Sequence, residues 1–583
     1  MAARFIVTCC LTALGLPIVG MPLASDRSSR IPFKLQPYVQ MVSVSQASES
    51  VPPAMQRRLN AAPARFWISS QGDRWALTGM GFELTSRLGY RMAYDRSSGM
   101  PYGPGTCITG DSGDAVWICT DRGVVRFDLK ASGPDRWRFL NSRRWLPDDK
   151  ALNLAADSAG NMWVRTQTGV AKIETRLTTL REKAQQFEER VRQRHWRHGL
   201  VAASHLQRPG DLSSNQMRSS DNDGLWTAMY MASQCYQFAA TNDAAARNRA
   251  KTNLQALMTL ESITESPGFP ARSWILKNEP QPSDGEWHDT PDGQSRWKGD
   301  TSSDEIVGHL YGYSVYFDLV ADEAEKRQIA AVVGRIVGGI MDNGWYLLDI
   351  DKKPTTWGKW SIDYFRSPDG IGRADAPLNA LEILSALRTA HHITKDEKFL
   401  RGYRDLIDNY NYDRLTLRYK EHGNTAETNH SDDELAMLPF YSLLKYETDP
   451  ILRTTYLMSL KHFYEIERPE RNPLWNFIYG AASRAQDFNV ADAVWTLQRI
   501  PMDLTSWNTP NSFRWDVQLR QDSDRFQRPQ SITPLPPDER AIIKWNGNPY
   551  QLDGGGNGTE EDDGAFFLLP YWMGRYHKLL IGE

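Results

Sequence analysis

The sequence has little cysteine and almost no net charge, and each shortage excludes a class of protein. Five cysteines in 583 residues are too few for a dense disulfide framework. The 68 Lys and Arg against 71 Asp and Glu give a net charge of −3, which excludes a generally basic nucleic-acid binder and a highly acidic, solvating chain. With 40% apolar and 24% charged residues, the chain is predicted to be globular, with about two to four domains at ~150 residues each.

Several motifs of common chemistries are also missing. The sequence has no Gly-x-Gly-x-x-Gly after a strand, no Walker-type loop, no His-Glu-x-x-His, no paired-cysteine spacing and no Gly-x-Ser-x-Gly elbow. We therefore expect no nucleotide cofactor and no metal. The alternative is calcium at the Gly-rich acidic segment 553–563, which has enough oxygen atoms but lacks the EF-hand order and is more typical of a flexible acidic loop.

Long apolar runs are absent apart from the first residues of the chain. Residues 1–24 have a positive start at Arg4, a short apolar run and a small residue, Ala24, before a polar stretch, which is typical of a secretory signal. We expect a secreted or periplasmic protein with no membrane span after cleavage, and a single N-terminal anchor is the alternative.

Two of the five cysteines fall in that signal, which leaves Cys107, Cys119 and Cys235. An odd number cannot pair completely. Cys107 and Cys119 either pair across neighbouring strands or remain two buried thiols.

Aromatic residues are abundant: 20 Trp, 23 Tyr and 20 Phe. Part of this surplus is a motif that occurs three times, as Trp-Ala-Leu-Thr-x-x-Gly, Trp-Ile-Cys-Thr-x-x-Gly and Trp-Val-Arg-Thr-x-x-Gly, beginning at Trp75, Trp117 and Trp163. The Trp spacings of 42 and 46 residues are typical of one propeller blade. A polar turn before each Trp and a Gly turn after it predict a hairpin whose Trp points inward.

This motif resembles the β-propeller repeats of two-component-regulator sensor proteins, over residues 60–176. The resemblance implies propeller-like sheets, but three blades do not close a propeller, for which four is the usual minimum. We therefore predict an incomplete β-repeat domain. An N-terminal extension, residues 25–59, precedes it. Either residues 30–65 hold a degenerate blade, or the β-repeat part leans on the next domain.

From residue 177 onward the pattern changes to helices separated by short polar turns, several of them in adjacent pairs. Eleven helices are predicted, at 180–198, 223–241, 243–263, 304–321, 323–341, 376–393, 395–410, 432–447, 449–466, 484–499 and 565–580. This segment, 177–583, resembles the six-hairpin (α/α)6 toroids of many glycoside hydrolases and several polysaccharide lyases. The resemblance implies a multidomain α and β protein whose C-terminal toroid is catalytic.

Acidic residues concentrate at four predicted helix starts, each with a Ser or Thr three positions before an acid. They are Ser220–Asp223, Ser302–Glu305, Ser431–Glu434 and Thr559–Asp563. One acid at each start is explained by a capping box. Each start carries two to four, however, and the inner helices of a toroid begin at one mouth. The acids can therefore converge on a substrate.

Paired carboxylates in such a mouth are what hydrolysis of a glycosidic bond requires. We predict Asp304 and Asp433 as the acid–base pair, with Asp223 in support, in a glycoside hydrolase that acts on a polysaccharide or oligosaccharide. Six Trp residues predicted in loops or near helix ends are candidate platforms for sugar rings: Trp274, Trp287, Trp297, Trp357, Trp360 and Trp475. Trp226 and Tyr571, next to acidic starts, are added as substrate contacts.

The ladder of Glu305, His309 and Tyr313 lies on one helix face, beside glycines 308 and 312 that permit close helix approach. It is either a buried, satisfied network or part of a second chemistry, β-elimination by a uronate lyase. In that alternative His309 or His430 is the base and Tyr311 or Tyr313 the acid. Asn429 neutralises the substrate carboxylate, and Arg272, Arg373 or Arg471 grips it. A third alternative is a non-catalytic glycan-binding or sensor protein of the envelope.

Overall fold

The computed structural model describes residues 31–46, 50–420, 429–521, 523–524, 526–544 and 546–583, so the predicted signal segment lies outside the described residues. Pro32–Glu583 form one compact unit of mixed helix and antiparallel sheet, with strands predominating first and helices afterwards. The strands up to the first long helix are β1 Phe33–Lys34, β2 Tyr38–Gln46, β3 Phe66–Ile68, β4 Arg74–Leu77, β5 Phe82–Thr85, β6 Arg91–Tyr94, β7 Cys107–Gly110, β8 Val116–Thr120, β9 Gly123–Phe127, β10 Trp137–Leu140, β11 Ala151–Ala156, β12 Met162–Thr166 and β13 Val170–Thr178.

These strands build three four-stranded antiparallel sheets. The first is β3-β4-β5-β6, the second is β7-β8-β9-β10, and the third is β11-β12-β13 with β2 added beside β13. The repeated residues Trp75, Trp117 and Trp163 lie on the second strand of their sheets and are at most 5% exposed. The predicted hairpins with inward-pointing Trp side chains are therefore confirmed.

The polar turn before each repeated Trp also has a common structure. The indole N–H of Trp117 donates to Asp111 Oδ2 at 2.8 Å, and that of Trp163 donates to Asp157 Oδ2 at 2.9 Å. Both aspartates also accept backbone N–H groups of their own turns. Ser69 occupies the equivalent position in the first repeat, where its Oγ accepts two backbone N–H groups. The three turns are thus closed by the same side-chain-to-backbone bonding.

The N-terminal extension is part of the third sheet and forms no further blade. Strand β2 pairs antiparallel with β13 along its whole length, from Tyr38 opposite Thr178 to Gln46 opposite Val170. Helix α1, Pro53–Asn60, packs on strands β11 and β12 of the same sheet. The sequence left two alternatives open, a degenerate blade or sheets that lean on the next domain. Neither describes β2 fully, because β2 completes the sheet of an existing repeat.

Cys107 and Cys119 are joined by a disulfide, and they are directly opposite each other on the paired strands β7 and β8. Cys235 is a free, buried thiol, and its burial raises its pKa.

The remaining helices are α2 Leu180–Arg190, α3 Asp223–Thr241, α4 Ala244–Ser262, α5 Ser303–Leu319, α6 Glu323–Asp342, α7 Ile362–Phe365, α8 Ile371–Thr394, α9 Glu397–Tyr410, α10 Tyr412–Thr416, α11 His430–Tyr446, α12 Pro450–Glu467, α13 Pro473–Ser483, α14 Val490–Arg499 and α15 Ala565–Tyr576. Most predicted helices are present within a few residues of their expected bounds. Helix α13 was missed, although Asn472 caps its start and Pro473 is its first residue, a typical helix-start pair. No helix of the described residues is long and apolar enough to cross a membrane.

Helices α3, α5, α8, α11, α13 and α15 contact one another in that order, and α15 also contacts α3. Helices α4, α6, α9, α12 and α14 pack beside them as a second layer. A Cβ added at Gly308 would lie 2.6 Å from the Cα of Leu225, and one at Gly312 would lie 2.9 Å from the Cβ of Ala228. Helices α3 and α5 therefore run parallel in close contact, and the predicted role of these two glycines is confirmed.

Shorter strands connect the helices: β14 Trp196–Arg197, β15 Leu200–Val201, β16 Ala203–Leu206, β17 Asn215–Arg218, β18 Ser273–Leu276, β19 Trp287–Asp289, β20 Ser295–Lys298, β21 Tyr346–Leu348, β22 Pro354–Lys359, β23 Thr505–Thr509, β24 Gly554–Glu561 and β25 Leu580–Ile581. Strands β16, β17, β23 and β24 form one four-stranded sheet, and its strand β24 lies just before α15 in the chain.

A buried group of charges joins the sheets to the helices. Arg499, at the end of α14 and 4% exposed on its side chain, pairs with Asp135 between β9 and β10. The same guanidinium binds Asp538 and Glu539 in the segment before β24. Arg144, which follows β10, donates to the carbonyl oxygen of Arg540 at 2.8 Å. These contacts fix segment 538–540 between the two parts of the protein.

Candidate functional site

Helices α3, α5, α8 and α11 carry carboxylates in their first two turns, and α8 carries a further one, Glu382, near its middle. We call this set the acidic rim: Asp223 on α3, Asp304 and Glu305 on α5, Asp375 and Glu382 on α8, and Asp432 and Asp433 on α11. The charges of Asp304 and Asp375 both raise the pKa values of Asp432 and Glu382. The starts of three different helices are therefore close enough for their charges to interact.

Two partly exposed members of the rim, Asp304 and Asp432, come from different helices. Among the described residues, Asp304 has no hydrogen-bond or ion-pair partner. Asn429 donates its side-chain N–H to Asp432 Oδ1 at 2.8 Å. Burial raises the pKa of Asp432 to about 7, and the charges of Asp433 and Asp304 add to that effect.

The two other predicted carboxylates are held inside the protein. Asp433 is 1% exposed, pairs with Lys420 at 2.7 Å and accepts the hydroxyl of Tyr419 at 3.1 Å. Asp223 is fully buried and pairs with Arg197 at 3.0 Å. Each has a cation beside it, so these side chains anchor the starts of their helices.

The acidic start at 431–434 was predicted with Asp433 as the catalytic residue, whereas the structure presents Asp432 at the rim. Adjacent helical residues point about 100° apart, so the choice depends on how the helix is rotated. The apolar residues after Asp433 give no signal for this choice, because Leu435, Met437 and Leu438 are all buried and leave the rotation of the helix ambiguous.

The ladder of Glu305, His309 and Tyr313 is fully buried between α3 and α5. His309 Nδ1 lies 2.9 Å from the carbonyl oxygen of Glu305, and burial lowers the pKa of His309 to about 4. Tyr311 is also buried, with its hydroxyl 3.4 Å from that of Tyr236. The histidine and tyrosines proposed for β-elimination thus belong to the core between helices.

The Trp residues predicted to lie in loops mostly lie in strands and helices. Trp297 on β20 is 3% exposed and packs 4.4 Å from the ring of His288. Trp360 and Trp475 are buried, and their indole N–H groups donate to Glu382 and Glu470. Trp357 on β22 differs, because 58% of its surface is exposed. Of the described candidates it is the one that presents most of its ring to solvent.

The remaining predicted substrate contacts separate into two groups. Arg272 lies near the rim, 3.8 Å from Asp221, and its charge partly offsets the rise that burial causes in the pKa of Glu305. Arg471 lies in the turn before α13, over the ring of Trp495, and Arg373 is exposed on α8. Tyr571 is fully buried and stacks on Phe567.

A cavity of about 910 Å³ opens between the starts of α3 and α15. Trp226 lines it, with the ammonium of Lys544 3.3 Å above its ring. Asp562, from the fourth predicted acidic start, lines the opposite side, and burial raises its pKa. The cavity has the volume, the aromatic wall and the polar groups typical of a small-ligand or sugar site.

The segment proposed for calcium is a strand, β24, rather than a flexible loop. Asp553 Oδ1 accepts the backbone N–H groups of Asn511 and Ser512. Glu561 pairs with Arg194, and Asp563 accepts the N–H of Ala565. Asp553, Glu561 and Asp563 therefore already have protein partners.

The chain matches no protein-family model, and no curated protein has a significantly similar sequence. We therefore infer the function from the arrangement of these side chains.

Proposed function

We propose that the protein is an exported enzyme that hydrolyses glycosidic bonds, with Asp304 and Asp432 as its two catalytic carboxylates. The observation that carries the proposal is their placement: two partly exposed carboxylates, from the starts of α5 and α11, lie close enough to interact. Hydrolysis of a glycosidic bond needs one carboxylic acid to protonate the leaving oxygen and a second carboxylate to activate water or attack the sugar.

The surroundings of the pair favour a sugar ligand. Trp357 lies on β22, the second strand of the hairpin β21–β22, which contacts α5, and its ring is mostly exposed. The backbone N–H of the preceding residue, Thr356, donates to Asp300, four residues before Asp304. An exposed indole beside a carboxylate pair offers the apolar faces of a sugar ring a stacking surface. The cavity beside Trp226 is lined by neither Asp304 nor Asp432, so we treat it as a separate candidate site for sugar units.

We also propose how the helices and the sheets are arranged. The six inner helices, each in contact with the next, support a closed (α/α)6 toroid whose mouth is the acidic rim. The three sheets support an incomplete propeller-like arc. Strand β2, from the N-terminal extension, completes the third of these sheets beside β13. Export remains a prediction from residues 1–24 alone.

The test is to screen the mature protein on neutral and acidic polysaccharides and to measure new reducing ends. Asp304→Asn and Asp432→Asn are each expected to lower the rate by about 10²–10⁴-fold while leaving the circular dichroism spectrum unchanged. The matched control is Asp342→Asn, an exposed acid at the end of α6, which should retain full activity.

Other results point to other functions. Products that absorb ultraviolet light through a double bond conjugated to a carboxylate would indicate a lyase. Tight glycan binding without any turnover would indicate a sensor. Full activity in both Asn variants would contradict the assignment of the carboxylates.

A further inference from the structure

Three side chains from two segments lie close together at the start of α11. They are His430 at the first position of α11, Asp433 one turn later, and Glu470 in the turn before α13. All three are buried, at 6%, 1% and 5% exposure. One ligand atom from each lies within 4.8 Å of the others. A histidine with two carboxylates is a typical ligand set for a divalent transition metal.

In each carboxylate, protein partners hold one oxygen, and the other oxygen lies on the side of the histidine. Trp475 Nε1 donates to Glu470 Oε2 at 3.1 Å, while no described residue donates to Glu470 Oε1. Lys420 and Tyr419 bind Asp433 Oδ1, while no described residue donates to Asp433 Oδ2. Metal-binding carboxylates are commonly held in this way by hydrogen bonds to the non-ligating oxygen.

The separations match the edges of a metal polyhedron. His430 Nδ1 lies 3.4 Å from Glu470 Oε1 and 3.6 Å from Asp433 Oδ2. These are longer than good N–H···O hydrogen bonds. Two ligands bound tetrahedrally at about 2.1 Å from Zn²⁺ are about 3.4 Å apart, because the edge of a tetrahedron is about 1.6 times the bond length.

The local charge favours a cation at this point. Three buried carboxylates, Asp433, Glu467 and Glu470, face two cations, Lys420 and Arg540, so the group carries a net negative charge before His430 is counted. Buried carboxylates in excess of their cations are costly unless a proton or a metal ion neutralises them.

We propose that His430, Asp433 and Glu470 bind one divalent transition-metal ion, with Zn²⁺ as the preferred ion. The imidazole ligand disfavours Ca²⁺ and Mg²⁺, which prefer oxygen. The ion would join the start of α11 to the turn before α13, and it would take no part in bond cleavage, so this inference stands apart from the proposed function.

The test uses the whole mature protein, stripped with a chelator and titrated with Zn²⁺ by calorimetry, with the metal content measured by mass spectrometry after gel filtration. We expect one Zn²⁺ per chain, a higher melting temperature with Zn²⁺, and visible absorption bands of a tetrahedral complex with Co²⁺. Glu470→Gln should weaken Zn²⁺ binding at least about 100-fold. Its amide oxygen can still accept the Trp475 N–H, so this variant is expected to fold.

His430→Ala should lose binding as well, and His391→Ala, at a partly exposed histidine of α8, is the matched control that should bind like the original protein. Absence of a Zn²⁺ isotherm at micromolar concentration in the unaltered protein would overturn the proposal. Unchanged binding in Glu470→Gln, or a response to Ca²⁺ alone, would do the same.

Discussion

Gly224 has only a hydrogen atom for a side chain, and this lets the start of α3 lie directly against α5. A Cβ at this position would lie 1.9 Å from Glu305 Oε2 and 2.6 Å from His309 Cε1, which are both fully buried. Neither atom has free space into which it can move. The position of the rim carboxylates on α3 and α5 therefore depends on this glycine.

Gly224→Ala is expected to lower the free energy of unfolding by about 1–3 kcal/mol, because the added methyl group overpacks the interface. The control is Gly339→Ala in α6, where a Cβ meets no atom within 4 Å. That variant should be neutral or more stable by about 0.5–1 kcal/mol, since Ala favours helix. Equal stabilities of the two variants in denaturant unfolding would contradict the packing argument.

Residue identity and residue position are predictable from the sequence to different degrees. The inward Trp of each repeat follows from local strand and turn patterns, and Trp75, Trp117 and Trp163 were all predicted correctly. The presentation of Asp432 rather than Asp433 depends on the rotation of α11 against its neighbours. No local pattern encodes that rotation, so only the segment was predictable.

At the scale of elements, strand β24 is joined to the end of α2 and the turn after it by Glu561. This carboxylate is 1% exposed on its side chain, and Arg194 binds both of its oxygens, at 2.6 and 2.9 Å. Burial alone would raise the pKa of Glu561. His195, whose Nε2 lies 3.6 Å from Glu561 Oε2, the hydrogen bonds from Arg194 and the charge of Arg190 outweigh that effect and hold the pKa at about 2.

A carboxylate with a lowered pKa stabilises the folded state above its unfolded pKa of 4.5, and that contribution is lost as the pH falls toward 2. Glu561→Gln should therefore cost about 3 kcal/mol at pH 7, and the difference from the unaltered protein should shrink below pH 4.5. Denaturant unfolding at several pH values measures this. The exposed neighbour is the control: Glu560→Gln should show little change, and a pH-independent loss in Glu561→Gln would contradict the linkage.

Elements differ in how far the sequence predicts them. The amphipathic helices were predicted because their periodicity and caps are local. Helix α13 was missed because its residues 474–480 are buried on every side and show no apolar stripe. The pairing of β2 was also out of reach, since its partner β13 lies more than a hundred residues away and no local pattern specifies it.

At the scale of the whole molecule, Arg499 joins the sheets to the helices. Its guanidinium binds Asp135 at 2.8 Å, Asp538 at 2.7 Å and Glu539 at 3.0 Å. Segment 541–544, which lines the cavity beside Trp226, follows directly after this group. The β-repeat part therefore helps to hold one wall of the candidate substrate cavity.

Arg499→Met is expected to lower stability by about 3–5 kcal/mol, because it leaves buried carboxylates without their cation. We also expect the sheets and the helices to melt separately in calorimetry, where the unaltered protein melts in one step. Arg468→Ala, on the more exposed pair with Glu465 and Asp487, should change stability by about 0–1 kcal/mol. One unchanged transition in Arg499→Met would show that other contacts join the two parts.

The third sheet can be completed only after β13 has been translated, and this has a consequence for the growing chain. Tyr38 pairs with Thr178 and Gln46 with Val170, so β2 leaves the ribosome long before its partner exists. At about 5–20 residues per second, roughly 6–28 seconds pass before β13 is made. During that interval β2 has a free strand edge that can pair with other chains. The growing chain is therefore most exposed to aggregation at its own beginning, and this is where a chaperone would protect it.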